Sequence, residues 1–270
     1  GKSRNDNIQN TATEAKKAVE KGFKEVILTG VNIGDFGVST GETFFDLLKA
    51  LDEQVNVARI RISSIEPNLL TDQMIEWIAQ SKRFVPHFHI PLQSGSDDVL
   101  RLMRRRYNTQ MFRRKVNKIK EVMPHAGIGI DVIVGTPGET NNFFNECYEL
   151  LKNTDFTYLH VFSYSPRENT DALKIEPKVS ESDKSIRSKQ LHELSDQKTR
   201  AFYSSFIGTE ANVLFEQKND KGYITGFTEN YIKVRVPYDK KLVNKIQKVR
   251  LLSINGFGDV DAEIVTSEME

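Results

Sequence analysis

His87 to Tyr107 reads HFHIPLQSGSDDVLRLMRRRY, and this stretch decides how the rest of the chain is read. His87, His89 and Pro91 alternate with Phe88, Ile90 and Leu92, the two-residue period of a short strand. The run stops at Gln93-Ser94-Gly95, where a helix is expected to begin. Ser96 is placed to cap the free N–H groups, and Asp97 and Asp98 sit where the helix dipole favours negative charge. Val99, Leu100 and Met103 supply an apolar face, and Arg104, Arg105 and Arg106 are expected to close the last turn. Polar side chains and open N–H groups thus gather just beyond the carboxyl end of a strand, where parallel α/β proteins hold small molecules.

Towards the amino end the same pattern recurs. Ile8, Ala12, Ala15 and Val19 have helical spacing, and Gly22 suits the stop. Lys24 to Val31 (KEVILTGV) reads as a buried strand that leaves through a Gly-rich loop, Gly30 to Gly37, able to approach a ligand closely. A plain strand-to-helix turn is the alternative there. A helix over Phe44 to Leu51, a strand over Ala58 to Ile65 and a helix capped by Thr71 follow. Towards the carboxyl end come a basic helix from Gln110 to Met123, a strand from Gly127 to Val134 (GIGIDVIV), the loop Gly135 to Thr140, a helix through Leu151, and a strand from Tyr158 to Tyr164. Five such units predict an α/β fold with a parallel sheet and right-handed crossovers. A full eight-unit barrel takes ~250 residues, and only about 165 are used here, so an incomplete parallel (β/α) barrel or an open sheet is expected over residues 1–182.

After Arg167 the composition changes to a polar connector, then a long charged helix expected over residues 183–206. Beyond Gly208 the period becomes two. Five short strands with turns such as Asn219-Asp220-Lys221-Gly222 predict a small antiparallel β-barrel over residues 207–268, an architecture common among nucleic-acid binders. A β accessory domain that only covers the sheet is the plainer alternative.

The 270 residues are 38% apolar, enough for a real core, and the net charge of +1 confines any nucleic-acid contact to local patches. One patch runs from Arg101 to Lys120 and includes Arg104, Arg105, Arg106, Arg113 and Arg114, with no acid interleaved. A solvated helical surface is its other reading. The single cysteine, Cys147, excludes a disulfide within the chain and fits a reduced, cytoplasmic setting, with the thiol packed as a small hydrophobe. No run reaches the ~18 apolar residues of a membrane span, so no membrane partner is expected.

With these loops collected, the chain resembles the methylthiotransferase branch of the radical S-adenosylmethionine enzymes. The resemblance rests on TGVNIGDFG (29–37), RISSIEP (61–67), HIPLQSGSDDVLRLMRRRY (89–107), DVIVGTPGET (131–140) and HVFSYSPRENTDA (160–172). The carboxyl-terminal strands are similar to the small tRNA-binding TRAM domain of that branch. GVNIGDFG and LMRRRY look most like the members that thiomethylate C2 of N6-threonylcarbamoyladenosine beside the anticodon. Members acting on isopentenyladenosine or on a ribosomal-protein aspartate stay open, as does a cluster-free RNA-binding module. A barrel enzyme working on a phosphorylated metabolite would need an acid–base pair at strand ends, and none stands out in the sequence.

The resemblance implies S-adenosylmethionine and two 4Fe-4S clusters as cofactors, with the tRNA anticodon stem-loop, a reductant protein and a sulfur donor as partners. It places Gly30, Val31 and Asn32 near the amino-acid end of S-adenosylmethionine. It sets Ser64 and Glu66 near the ribose, Gln93 and Ser94 at the pocket floor, and Val134, Gly135 and Pro137 along the adenine. Arg105 would meet the methionine carboxylate or a tRNA phosphate. The family's CxxxCxxC loop and amino-terminal domain have no counterpart in this sequence, so no catalytic cysteine is assigned. The chain is expected to begin just after that loop, near Gly1-Lys2-Ser3-Arg4, and to be inactive as a piece, with an open sheet edge beside Lys24 to Val31.

Three histidines and several cations complete the reading. His87 and His89 share a strand face, yet no third ligand is evident for them, so no metal site is assigned; they and His160 are read as hydrogen-bonding groups lining the barrel. Arg104, Arg106, Arg113, Arg114, Lys233, Arg235 and Lys241 are candidate RNA contacts, acting on phosphates without reading sequence.

Overall fold

The computed structural model describes residues 5–265 and, for residues 217–220, the backbone alone. The basic start Gly1-Lys2-Ser3-Arg4 and residues 266–268 of the small barrel therefore lie outside the described residues.

Local caps set the helices and their neighbours. Helix α1 (Ile8–Glu20) starts where the Asn7 side chain accepts the Asn10 N–H, and it feeds strand β1 (Glu25–Leu28). Helix α2 (Phe44–Gln54), capped by Thr43, precedes β2 (Arg59–Ile62), and α3 (Asp72–Gln80), capped by Thr71, precedes β3 (His87–His89). Then come α4 (Asp97–Leu102), α5 (Thr109–Val122), β4 (Gly127–Val134), α6 (Asn141–Lys152), β5 (Tyr158–Ser163) and α7 (Glu181–Ser204). Every ladder among the five strands is parallel, as expected, but the sheet has a seam. β1 pairs with β2, β3 with β4 and β4 with β5, while only single bridges, Ile60 to Phe84 and Ser64 to His89, join β2 to the β3 side.

The strands alternate more strictly than a buried parallel sheet requires. Leu28, Ile60, Ile62, Phe88, Ile128, Ile130, Val132, Val134 and Leu159 face the helices and form the core with Leu47, Leu48, Leu51, Phe112 and Val116. The opposite face carries Glu25 and Ile27, Arg59 and Arg61, His87 and His89, Gly129 and Asp131, Tyr158, His160 and Phe162. The buried strand expected over Lys24 to Val31 is thus corrected: it is paired only over Glu25–Leu28, and Ile27 is 55% exposed on the open face. Among the described residues β1 pairs only with β2, which leaves it as a sheet edge.

Two expectations around α4 are also corrected. Ser96 precedes the helix, but its side chain is turned towards α6, where its buried hydroxyl donates to Glu146 at 2.6 Å, and its oxygen caps no N–H of the helix. The helix ends at Leu102, and Arg104 turns left-handed at φ 56°, so the three arginines lie past the last turn instead of closing it. Helix α7 is more than a connector. Its Leu191 and Leu194 enter the main core, and Ser195 accepts the Leu159 N–H at 2.8 Å.

Strands β6 (Glu210–Asp220), β7 (Tyr223–Thr228), β8 (Lys233–Pro237), β9 (Ile246–Ile254) and β10 (Val260–Ile264) close a barrel in the order β10-β8-β7-β6-β9. It is not wholly antiparallel, because β10 pairs with β8 in parallel. Five strands cannot close with every neighbour reversed, so one parallel pair is forced. Val213, Phe215, Ile224, Val234, Val249 and Val260 fill its interior.

The small barrel docks on the amino ends of the sheet strands. Arg59, 1% exposed, donates to the carbonyls of Phe227 at 3.0 Å and Asn212 at 2.7 Å. Arg61 donates to the Glu229 carbonyl at 3.2 Å, and Asn244 to that of Gly22 at 3.0 Å. Asn230 donates to the His125 carbonyl at 3.0 Å, and its own carbonyl comes so near Gly127 that a β-carbon there would sit 2.2 Å away. Only glycine permits that approach.

Candidate active site

The open face of the sheet is a column of interacting polar and aromatic groups. At its foot the His87 ring stacks on Tyr231 with centroids 4.4 Å apart, Tyr231 stacks on Phe227 at 4.5 Å, and the Arg61 guanidinium lies 4.9 Å from the Tyr231 centroid. Tyr231 has φ 71°, a left-handed conformation that a bulky residue holds only under strong packing. His87 Nε2 meets the Tyr158 hydroxyl at 2.9 Å. Burial, helped by the nearby Arg61 charge, holds the His87 imidazole well below its ordinary range, so it is neutral at pH 7.

One step up the strands, Asp131 of β4 sits between His89 of β3, at 2.7 Å, and His160 of β5, at 3.3 Å. Burial raises the Asp131 carboxyl, but the hydrogen bonds from His160 and His89 outweigh it and hold the group down at about 2. The ligand atoms of these three residues lie within 4.8 Å of one another, a donor set able to take a metal ion. The sequence reading found no third ligand beside the histidines; Asp131 and His160 arrive from neighbouring strands. All three histidines make lining contacts, as read from the sequence.

At the carboxyl ends, Arg105 returns from beyond α4 to donate to Glu66 at 3.0 Å and Gln93 at 3.2 Å. Gln93 is buried with φ 70°, and its backbone is fixed on both sides, its N–H to Asp131 and its carbonyl to the Ile133 N–H. Asn32, Glu66, Asn68 and Arg105 line a small cavity of about 170 Å³, which Arg104 and Arg106 border. Arg105 Nε and Asn68 Oδ1 are buried there without a protein partner. Gly30, Val31 and Asn32 border a larger cavity of about 800 Å³ against β1. Ser64 bridges to His89, and Ser94 is buried, accepting the Ser96 N–H at 3.3 Å. Val134, Gly135 and Pro137 are buried at the end of β4, with the Lys184 stem over Gly135 and the Gly135 N–H held by Glu139 at 2.9 Å. Glu139 pairs with buried Arg187 of α7, which also donates to Asn141 at 2.7 Å.

The basic residues divide. Arg104 pairs with Asp171 at 3.0 Å, and Arg114 and Lys115 share Asp72 of α3, while Lys118 reaches Glu76. The run without interleaved acids is thus partly neutralised in space. Arg106 and Arg113 are exposed without an ion pair among the described residues, as is Lys241. Lys233 and Arg235 pair with Asp259 at 3.1 Å and Asp261 at 2.6 Å. Cys147 is buried, its thiol pushed up to about 12 by desolvation.

Sequence reasoning missed Arg59, Arg61, Asp131, Tyr158 and Tyr231. A signal existed for the first four: in RIRI, IDVIV and YLHVF the polar residues keep a period of two, which marks one shared face.

Successive parallel strands, helices over one face, a polar open face and a small polar cavity at the carboxyl ends define an α/β enzyme scaffold of the barrel type. The chain belongs to the Radical SAM superfamily (SAM, S-adenosylmethionine), whose family description matches residues 1–151. It is similar to the threonylcarbamoyladenosine tRNA methylthiotransferase MtaB of Bacillus subtilis, with 39% identity over 88% of this chain and 54% of that protein. The enzyme of that name from Thermotoga maritima is 36% identical over 91% of this chain and 56% of its own length. The tRNA-2-methylthio-N(6)-dimethylallyladenosine synthase of Bacillus subtilis is 31% identical, over 100% of this chain and 54% of that enzyme. The chain spans about half the length of these curated relatives. No described helix is long and apolar enough to cross a membrane.

Proposed function

We propose that this chain supplies the S-adenosylmethionine-binding sheet and the RNA-binding barrel of a cytoplasmic tRNA methylthiotransferase acting on C2 of N6-threonylcarbamoyladenosine. The observation that carries this reading is the convergence of Asn32, Glu66 and Arg105 on one small cavity, with Gln93 tied to it through the Arg105 guanidinium. A zwitterionic amino acid joined to a ribose fits such a donor set. Arg105 would hold the carboxylate, Glu66 the ribose hydroxyls, and Asn32 the amino-acid end. Gln93, strained and fixed through its backbone, would keep the floor rigid. Val134, Gly135 and Pro137 would line the adenine end, in a loop whose backbone Glu139 and Tyr164 hold in place.

In this reading S-adenosylmethionine supplies a methyl group and, with an iron–sulfur cluster, the radical that an unactivated aromatic C–H requires. The residues present do not fit a cluster: Cys147 is buried against Gly95 with a protonated thiol, so no step is derived through one. Asp131, His89 and His160 would present hydrogen bonds to a base turned onto the open face. A reductant protein and a sulfur donor complete the reaction.

Identities of 36 and 39% to the threonylcarbamoyladenosine enzymes, against 31% to the dimethylallyladenosine synthase, favour the first nucleoside. Deleting the gene should leave N6-threonylcarbamoyladenosine without its methylthio group in the organism's tRNA, read by nucleoside mass spectrometry. Unchanged methylthio content would sink the substrate assignment. Calorimetric titration of S-adenosylmethionine into the chain should show binding that Arg105→Gln weakens by about tenfold or more, in line with a lost charge-assisted pair. Equal affinity in the variant would remove Arg105 from the site.

A further inference from the structure

The outer face of the small barrel carries a feature that phosphate contacts do not explain. Phe257 stands 79% exposed at the tip of the turn between β9 and β10. That turn is braced: Asn255 Oδ1 accepts the N–H groups of Phe257 at 2.9 Å and Asp259 at 3.3 Å, and its backbone N–H reaches the Asp259 carbonyl at 2.9 Å. The ring is therefore presented by a fixed backbone. Beside it the Arg235 guanidinium lies 5.2 Å from the Phe257 centroid and 4.4 Å from that of Tyr223, itself half in water. Asp261 orients Arg235 through Nε at 2.6 Å, and Asn255 holds the same Asp261 oxygen at 2.9 Å. Two rings and a planar cation are thus locked into one surface with a phenyl face open.

The rim is basic. The Tyr238 N–H bonds to the Gly222 carbonyl, which brings Lys240 and Lys241 to the barrel end that carries Lys221 and Tyr223. Lys221, Lys240 and Lys241 are exposed and make no ion pair among the described residues. Aromatic platforms flanked by cations are how proteins hold unpaired bases, the rings taking the base and the cations the strand. A carboxylate of a protein partner would find Arg235 already paired with Asp261.

We propose that Tyr223, Arg235 and Phe257 form a stacking site for one unpaired nucleobase of an RNA strand whose phosphates run past Lys221, Lys240 and Lys241. This rests on the reading of the small barrel as the RNA-binding part, and it replaces the bare phosphate contact read for Arg235 with base stacking.

The test uses the whole chain and a short single-stranded oligoribonucleotide carrying one 2-aminopurine, with unlabelled tRNA in parallel. Binding should quench the 2-aminopurine. Phe257→Leu should weaken oligonucleotide binding about tenfold and abolish the quench, while the salt dependence of Kd stays unchanged because no cation is lost. Phe257→Trp should bind as well as the parent, and Lys241→Ala should lower the salt slope with the quench retained. Binding with an undiminished quench in Phe257→Leu overturns the stacking site and leaves the RNA reading standing. If the parent chain binds neither the oligonucleotide nor tRNA, both fall together. Phe257 is exposed in a turn, so circular dichroism should show Phe257→Leu folded.

Discussion

The guanidinium of Arg59 donates to the backbone carbonyl of Phe227 at 3.0 Å, across the join between the sheet and the small barrel. The side chain is almost fully buried, its second amino group serves the Asn212 carbonyl, and the acid nearest to it, Glu229, stands 3.9 Å away. Desolvation lowers the Arg59 pKa, yet the fold keeps the charge because two carbonyls need donors.

Replacing Arg59 with Met should therefore cost about 1–3 kcal/mol for each carbonyl left unsatisfied. The loss should fall on the join. Calorimetry should show the unfolding of the small barrel separating from that of the sheet, and a single transition at the parent Tm would show that Arg59 holds nothing together.

Asp131 gives an acid-side prediction. A carboxyl depressed on folding stabilises the native state above its unfolded value near 3.9, and that contribution disappears as the pH falls towards 2. The shift to about 2 corresponds to at most roughly 2–3 kcal/mol, and solvent screening at this partly exposed carboxyl lowers that. Urea midpoints measured between pH 5 and 2 should fall more steeply for the parent than for Asp131→Asn, and parallel curves would refute the coupling to His89 and His160.

His87 acts in the same direction at higher pH. It is neutral in the fold and takes up a proton in the unfolded chain below about 6.5, so stability should drop as the pH falls through that value. The slope approaches about 1.4 kcal/mol per pH unit. His87→Phe keeps a ring against Tyr231 and should flatten the profile between pH 6.5 and 5, measured by denaturant titration.

Much of this architecture was legible because it is local. The GIGIDVIV strand runs from Gly127 to Val134 as read, Thr71 caps its helix, and five strands follow Gly208. What failed was long-range. Asp131 and His89 are 42 positions apart, and Arg59 and Phe227 are 168 apart, so no window of sequence holds either pair. The basic run around Arg114 read as uncompensated because its acids, Asp72 and Glu76, lie on a different helix. For Arg105 the resemblance had suggested a role, but its partners depended on the left-handed turn at Arg104, which no propensity favours.

The Arg187 and Glu139 pair offers a fourth prediction. Burial raises the Glu139 carboxyl pKa, against the Gly135 N–H and Arg187 that favour its charged form. Removing Arg187 strands that charge, so Arg187→Met should cost about 3–5 kcal/mol, and Arg187→Met with Glu139→Gln should recover part of it. Equal losses in the single and double variants, from urea unfolding, would mean that the pair is not coupled.

The docking of the small barrel fixes a length. It sits on the amino ends of the strands, while Glu66, Gln93 and Arg105 lie past their carboxyl ends. Strand β4 alone, at eight residues, separates the two levels by about 25 Å. An RNA gripped by the barrel cannot offer the gripped nucleotide for reaction. On the proposed reading the protein would act as a ruler, its target set by the distance from the part being held, and lengthening or shortening the RNA between those points should move the modified position.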